Sequence, residues 1–400
     1  MGRRNFLKRV SLRNYKSIAE CDVDLGALTF LVGRNGAGKS NFLDALHLVT
    51  ESLTSSLDHA LRNRGGINEV RRRSSGHPTH FQIRLDIQTD LFDGYYSFRI
   101  GAKSKGGFEV QKEECLINKL LRKDSYRVEE GTVIESSAEV MPPASPDRLY
   151  LVSAAGLPEF RPVFDALSHM GFYNLNPDAI RELQTPDTGE VLRRDGSNLA
   201  SVLSVMEKES PESRKYVVDF LSKVVPGISD VSSKRLRNKE TLDFRQQVGS
   251  NKASWPFSAQ NMSDGTLRAL GVLTAIFQSN TENGSWIPLV GIEEPETAVH
   301  PGAAAVLRDA LRVASASKQV LVTSHSPDLL DDKDIEADEI VAVENDNGKT
   351  LIGPLTETDR GLLKDKLFTA GELLRQGGLL PDREKASRVI QENADGHTNS

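Results

Sequence analysis

The sequence predicts an α/β fold in two lobes, with a mainly parallel sheet, an antiparallel β subdomain and a helical insertion. Three observations carry that expectation. An apolar run, Leu28-Thr29-Phe30-Leu31-Val32, leads into a glycine-rich loop and then into helically spaced Phe42, Leu46 and Val49. Farther along, a helical stretch at residues 267–277 is followed by an apolar strand, a helix and a second apolar strand. Strands alternating with helices imply parallel pairing. Between these regions, residues 157–223 read as helical and polar, broken by Asn176-Pro177 and Thr185-Pro186-Asp187.

Composition narrows the class. A chain of 400 residues, 38% hydrophobic and 26% charged, is ordinary for a globular protein with a sizeable core and room for two or three domains. A net charge of −6 gives no global signal for nucleic acid, so such a contact must come from a local patch. Two cysteines, Cys21 and Cys115, without a C-x-x-C support neither a disulfide framework nor a zinc site and point to the cytoplasm. The start is basic, but no apolar stretch of signal length follows it. Residues 269–277 form the longest apolar stretch, too short to span a bilayer, so no membrane partner is expected.

The elements follow in order. Residues 8–25 read as an antiparallel hairpin, with Val10 and Leu12 alternating with Arg9, Ser11 and Arg13. After the glycine loop and its helix, residues 57–80 are polar and basic, with Arg62, Arg64, Arg71, Arg72 and Arg73 around Gly65-Gly66. Strands return at 81–87 and 95–100. Residues 113–140 are charged and weakly patterned, and Met141-Pro142-Pro143-Ala144-Ser145-Pro146 is a linker by composition. Pro226-Gly227 ends the insertion, and strands follow at 228–232 and 241–247. Beyond the helix at 267–277 come a strand at 287–292, a helix at 302–314 and a strand at 320–323. The tail is helical near 362–376, then polar, with the last ten residues disordered. The expected division is therefore an N-terminal lobe at 1–112, a linker and insertion at 113–226, a C-terminal lobe at 227–355 and a tail at 356–400.

Three motifs carry chemistry. Gly33-Arg34-Asn35-Gly36-Ala37-Gly38-Lys39-Ser40, followed by Asn41, fits the Walker A pattern at every fixed position. Glycines let backbone N–H groups curl around a phosphate chain, and the helix N-terminus adds partial positive charge. Lys39 is expected to reach the β- and γ-phosphates of ATP, and the Ser40 hydroxyl to ligate Mg²⁺. Ile292-Glu293-Glu294-Pro295-Glu296 closes an apolar strand, where parallel sheets bind ligands. Glu293 is placed to serve Mg²⁺, and Glu294 to deprotonate the attacking water. Thr323-Ser324-His325-Ser326-Pro327 ends the next strand, with His325 as a γ-phosphate sensor. A weaker signal is Asn261-Met262-Ser263-Asp264-Gly265-Thr266 before a helix, either a second anion site or a plain N-cap.

These pieces in this order resemble the ATP-binding-cassette class of P-loop ATPases. Within it the chain resembles the RecF/SMC-like branch and the OLD-type ATPase domain, often labelled AAA-21. The match rests on Asn14-Tyr15-Lys16-Ser17, the Walker A run, Met262-Ser263-Asp264-Gly265-Thr266, Glu293-Glu294-Pro295-Glu296, Val299-His300-Pro301 and Thr323-Ser324-His325-Ser326-Pro327. The resemblance implies a two-lobed ABC-type head. It implies that Ser263, Asp264 and Gly265 contact ATP bound to a second copy, with residues 295–301 as the D-loop. Two features depart from the class: Glu293 stands at the Walker B aspartate, and the signature reads Ser-Asp-Gly-Thr. Gln82 and Gln88 are the candidates for the Q-loop glutamine. The residues after Pro354 are too few for the TOPRIM nuclease domain of OLD proteins, so no nuclease is expected in this chain.

The leading expectation is an ATPase that forms a homodimer head to head on ATP, in DNA maintenance or antiphage defence, with a separately encoded effector. DNA itself is a candidate partner through the arginines at 62–73. A nucleotide-gated scaffold with little turnover is the alternative. A transporter ATPase subunit ranks last, because the spacing from Lys39 to Glu294 far exceeds that of compact transport cassettes.

Overall fold

A computed structural model describes residues 6–74, 76, 78–104, 106–248, 253–278 and 287–387. The chain forms two compact units. One comprises Met1–Met170, Glu336–Leu367 and Gly377–Ser400, the other Gly171–Ile335 and Phe368–Gln376.

In the first unit, Leu7–Tyr15 pairs antiparallel with Ile18–Asp24, the expected hairpin. Alternation sends Val10, Leu12, Cys21 and Val23 inward. It leaves Arg9–Asp24 and Arg13–Glu20 as cross-strand ion pairs on the outer face. Antiparallel pairing continues through His80–Gln88, Asp93–Ala102, Phe108–Lys119, Arg122–Glu129 and Thr132–Ser136. The last three strands fall where the sequence looks weakly patterned, and Phe108–Lys119 runs through the expected boundary at 112. A register shift opposite Arg99 and Ile100 explains the faint pattern. It breaks the alternation between Val110 and Cys115, and a carboxylate, Glu113, takes an inward slot.

The P-loop strand Leu28–Val32 is buried throughout and pairs in parallel with Ile340–Asp346. That strand folds back antiparallel on Lys349–Pro354, a hairpin not anticipated from the sequence. The P-loop helix Lys39–Thr54 buries Phe42, Leu43, Leu46 and Val49. The basic segment after it holds two short helices, Leu57–Arg62 and Ile67–Val70.

In the second unit, Gly171–Tyr173, Leu289–Glu293 and Gln319–Ser324 pair in parallel. The first of these strands lies inside the expected helical insertion, whose helices Leu199–Glu209 and Pro211–Val224 do form. A small antiparallel sheet joins Ile228–Leu236, Lys239–Val248 and Ala253–Ser258. The signature helix Asp264–Phe277 is buried at every residue from Thr266 onward, as befits a helix apolar on all sides. Pro301–Ala314 starts with proline at its first position, and His300 Nδ1 accepts from Gly302 N at 3.0 Å. The mixed α/β architecture is thus the expected one, with parallel pairing concentrated on the motif-bearing strands. The tail forms Glu357–Lys364 and Ala370–Arg375. The ten terminal residues expected to be disordered lie outside the described residues. Among those described, no helix is long and apolar enough to cross a membrane.

Glu113 is fully buried yet fully engaged. Its Oε1 accepts from Tyr96 Oη at 3.1 Å, Tyr126 Oη at 2.8 Å and Leu151 N at 2.7 Å. Its Oε2 accepts from Tyr150 N at 2.5 Å. Burial pushes the carboxyl up to about 7, against the pull of these donors. A carboxyl raised on folding holds a proton that the unfolded chain has already released. Its stabilising contribution is therefore full below the ordinary carboxylate range and lost as pH rises through about 7. The unfolding free energy of the wild type from urea denaturation should fall by about 3 kcal/mol between pH 4.5 and 7.5 relative to that of Glu113→Gln, which cannot titrate. Parallel pH profiles for the two proteins would count against this assignment.

Candidate functional site

The two units each carry one half of the expected chemistry. In the first, the loop after Leu28–Val32 is shaped by close approach. A Cβ on Gly33 would lie 2.1 Å from Val343 O, and one on Gly38 would lie 2.2 Å from Thr350 Oγ1. Gly38 also sits at φ 109°, which favours glycine, and is the N-cap of Lys39–Thr54. That cap supplies no side-chain hydrogen bond, and the first turn holds no acidic residue. The N–H groups and positive end of the helix are therefore available to an anion.

Lys39 is buried, and its Nζ donates to Gly33 O at 2.7 Å and Arg34 O at 3.1 Å. Arg34, Asn35, Gly36 and Ser40 are exposed, whereas Ala37 is buried. Thr350 Oγ1 donates to Ala37 O at 2.9 Å and lies 2.6 Å from Ser17 Oγ. Asn41 Nδ2 donates to the same Ser17 hydroxyl at 2.7 Å, so Asn41 braces the Asn14-Tyr15-Lys16-Ser17 turn. A glycine cradle, an ammonium and an uncapped helix end make a donor set that fits a phosphate chain.

The turn before Ser17 is tied to the P-loop helix by charge. Tyr15 Oη donates to Asp44 Oδ2 at 2.7 Å, and Lys16 Nζ and Arg64 Nε approach Asp44 at 2.5 and 2.9 Å. Burial opposes ionisation of Asp44, but Arg64 and Lys16 outweigh it and hold the carboxyl below its ordinary range. Arg64 also meets Glu51 at 2.5 Å. This corrects the expectation for the basic segment. Arg64 is a buried structural cation that cannot contact nucleic acid. Arg62 and Arg73 pair with Asp58 and Glu69, and Arg71 donates to Asn68 Oδ1 and Pro78 O.

In the second unit, the strand Leu289–Glu293 delivers three carboxylates into three environments. Glu293 Oε1 accepts from Arg194 Nη2 at 2.8 Å. Glu294 sits at φ 43°, with its N–H donating to Thr323 O at 3.0 Å. Its Oε1 lies 3.2 Å from His325 Nδ1. Glu296 is buried, and Ser324 Oγ donates to its Oε1 at 2.6 Å. Burial raises the Glu296 carboxyl above its ordinary value. Beneath them, Arg268 Nη2 donates to the carbonyls of Glu293 and Glu294, each at 3.1 Å, and Nη1 donates to Leu175 O at 2.6 Å.

The signature residues are structurally occupied. Ser263 Oγ accepts from Thr266 N at 3.2 Å, the plain N-cap role. Asp264 pairs with Arg181. A Cβ on Gly265 would lie 2.2 Å from Ala298 O, so this glycine lets the signature helix pack against the expected D-loop. The candidate Q-loop residues Gln82 and Gln88 both lie on the strand His80–Gln88. Among the described residues no group of three or more His, Cys, Asp or Glu side chains is arranged to hold a metal ion.

Sequence reasoning missed Thr350, Val343, Arg194 and the buried part played by Arg268. Arg268 had a signal, as a lone cation in an apolar helix. Arg194 and Thr350 had none in periodicity or motif.

Known proteins agree with this geometry. Residues 146–331 match the AAA_21 family model, described as "AAA domain, putative AbiEii toxin, Type IV TA system". Residues 6–123 match the AAA_15 model, an AAA ATPase domain. The chain is 25% identical over 371 residues to the OLD nuclease of Thermus scotoductus, covering 89% of this chain and 66% of the relative. Its fold is similar to an Smc head bound to the C-terminal winged-helix domain of ScpA, with a TM-score of 0.56 at 12% identity, over 89% of this chain and 99% of that one. A second Smc head domain, with an extended coiled coil and derived from Pyrococcus furiosus, matches at a TM-score of 0.50 and 10% identity, over 90% and 99%. The fold is similar to that of Smc heads, and the two matched family models imply nucleotide binding. The chain is thus similar to OLD-type proteins and to the AAA_21 family over part of its length.

Thr350→Val keeps the shape and removes the hydroxyl that bonds Ala37 and meets Ser17. Each such hydrogen bond contributes about 0.5–1.5 kcal/mol. Urea denaturation should show a loss of about 1–2 kcal/mol, and nucleotide affinity should fall with it. An unchanged midpoint would mean the hairpin does not hold the loop.

Proposed function

We propose that the protein binds MgATP, hydrolyses it, and closes two copies head to head during the cycle. The observation that carries this reading is the P-loop cradle: Gly33 and Gly38 pressed against Val343 and Thr350, with Lys39 beside an uncapped helix N-terminus. Bound Mg²⁺ supplies charge neutralisation on the phosphates. Ser40 and Glu293 would hold it, Lys39 would bind the phosphates, and Glu294 would take the proton from water with His325 beside it. Ser263 and Gly265 would face the nucleotide of the second copy. The proposed role is DNA maintenance or antiphage defence with a separately encoded effector in the cytoplasm. The relatives whose names speak of a nuclease and of ScpA support a partner-dependent role, and no nuclease step is assigned to this chain's residues. A nucleotide-gated scaffold with little turnover is the second reading, favoured by the ion pair between Arg194 and Glu293. ATP turnover measured with and without DNA separates the two.

Lys39→Ala removes a charge-assisted contact worth roughly 1.5–3 kcal/mol, so calorimetry should show at least a several-fold weaker affinity for ATP. Glu294→Gln should bind ATP normally and turn it over at least about tenfold more slowly. Undiminished affinity in a folded Lys39→Ala protein, or wild-type turnover in Glu294→Gln, would sink the respective role.

Light scattering and small-angle scattering of Glu294→Gln with ATP should report a larger or more compact dimer. Ser263→Arg should block that change through bulk and misplaced charge. A mass and shape indifferent to ATP would count against closure.

A further inference from the structure

Arg194 lies in the irregular stretch between Pro177–Arg181 and Leu199–Glu209, yet it is built into place. Its carbonyl accepts from Asn174 N at 2.9 Å, and the carbonyl of Asp195 accepts from Asn176 N at 3.0 Å. Asn198 Oδ1 accepts from Arg193 N at 2.8 Å, and Arg193 pairs with Asp187 at 3.0 Å. These bonds fasten the stretch to the exit of Gly171–Tyr173, the strand whose Tyr173 is in register with Ile292 of the acidic strand. The Arg194 guanidinium thereby reaches Glu293 at 2.8 Å, with side-chain exposures of 42% for the arginine and 16% for the carboxylate. The carboxylate is the sheltered partner and the cation the more exposed one.

The geometry points to Arg194 as a latch on the metal site: it competes with Mg²⁺ for the Glu293 carboxylate and so sets the affinity of the site for the ion. This rests on the reading of Glu293 as the residue that serves Mg²⁺. A lone pair committed to a guanidinium N–H at this distance is not free for a metal or its water. A guanidinium and a divalent cation on one carboxylate also repel each other. Mg²⁺ at Glu293 therefore works against the Arg194 contact, whose guanidinium side is the more exposed one. A half-exposed ion pair is worth about 0–1 kcal/mol, which sets the size of the competition at up to roughly fivefold in affinity.

The sign of this effect is its test, because removing a ligand-supporting residue weakens a metal site whereas removing a competitor tightens it. Mg²⁺ is titrated by calorimetry into full-length protein saturated with a non-hydrolysable ATP analogue, with Mn²⁺ followed by electron paramagnetic resonance as a second probe. Arg194→Ala should tighten both ions two- to fivefold, and Arg194→Lys should fall between it and the wild type. In a Glu293→Gln background the ion should bind more weakly, and Arg194→Ala should then tighten it less than in the wild type. Unchanged or weaker ion binding in Arg194→Ala overturns the latch. If Glu293→Gln leaves ion affinity unaltered, the metal role of Glu293 falls, and the latch with it. If Glu293→Gln weakens binding but Arg194→Ala does not tighten it, the latch alone fails.

Discussion

The shape of the P-loop depends on a contact made 313 positions away in the chain, where Thr350 Oγ1 donates to Ala37 O. Val343 and Thr350 stand so close to Gly33 and Gly38 that no β-carbon fits at either glycine. The hairpin Ile340–Asp346 and Lys349–Pro354 is therefore part of the nucleotide loop as much as the Walker residues are. Strand Leu28–Val32 pairs with that hairpin through Phe30 and Ile340. Ordering the loop thus carries the entropy cost of a long closure, recovered through buried parallel pairing. The first unit cannot complete its P-loop until residues beyond Glu336 are in place.

A second constraint is charge around the P-loop helix. Asp44 and Glu51 sit on its flank, Arg64 and Lys16 gather against them, and His47 of the same helix lies 3.0 Å from Arg64 Nη2. Arg64 lies almost wholly buried, so breaking one partner would leave a charge without compensation. Its role is to fix the direction of Lys39–Thr54 against the turn that holds Ser17. The helix that presents Lys39 is thereby set by ion pairs on one side and by Phe42, Leu46 and Val49 on the other.

Much of this was legible in the sequence because the motif-bearing strands obey simple patterns. Leu28–Val32, Leu289–Glu293 and Gln319–Ser324 are short apolar runs next to turn residues, and the helices after the first two keep a 3.6-residue period. The failures have identifiable causes. Phe108–Lys119 hid behind a register shift and the inward Glu113, where periodicity reads a charge as a surface residue. Gly171–Tyr173 spans three residues, too few for any period to show. Arg64 looked like one of five loop arginines, because the sequence does not reveal that Asp44 and Glu51 lie on the helix face turned towards it.

The three carboxylates of Glu293-Glu294-Pro295-Glu296 show how neighbouring groups of one chemistry come to differ. Glu293 is committed to Arg194, and Glu296 is buried against Ser324, where burial raises its carboxyl above the ordinary value. Glu294 is partly exposed, and its Oε1 lies 3.2 Å from His325 Nδ1. Its left-handed backbone costs about 1–3 kcal/mol for a residue with a β-carbon. Two bonds hold it there: its N–H on Thr323 O, and its carbonyl, with that of Glu293, under Arg268. A buried arginine in the helix Asp264–Phe277 thus holds the backbone conformation that sets Glu294 apart from the other two carboxylates.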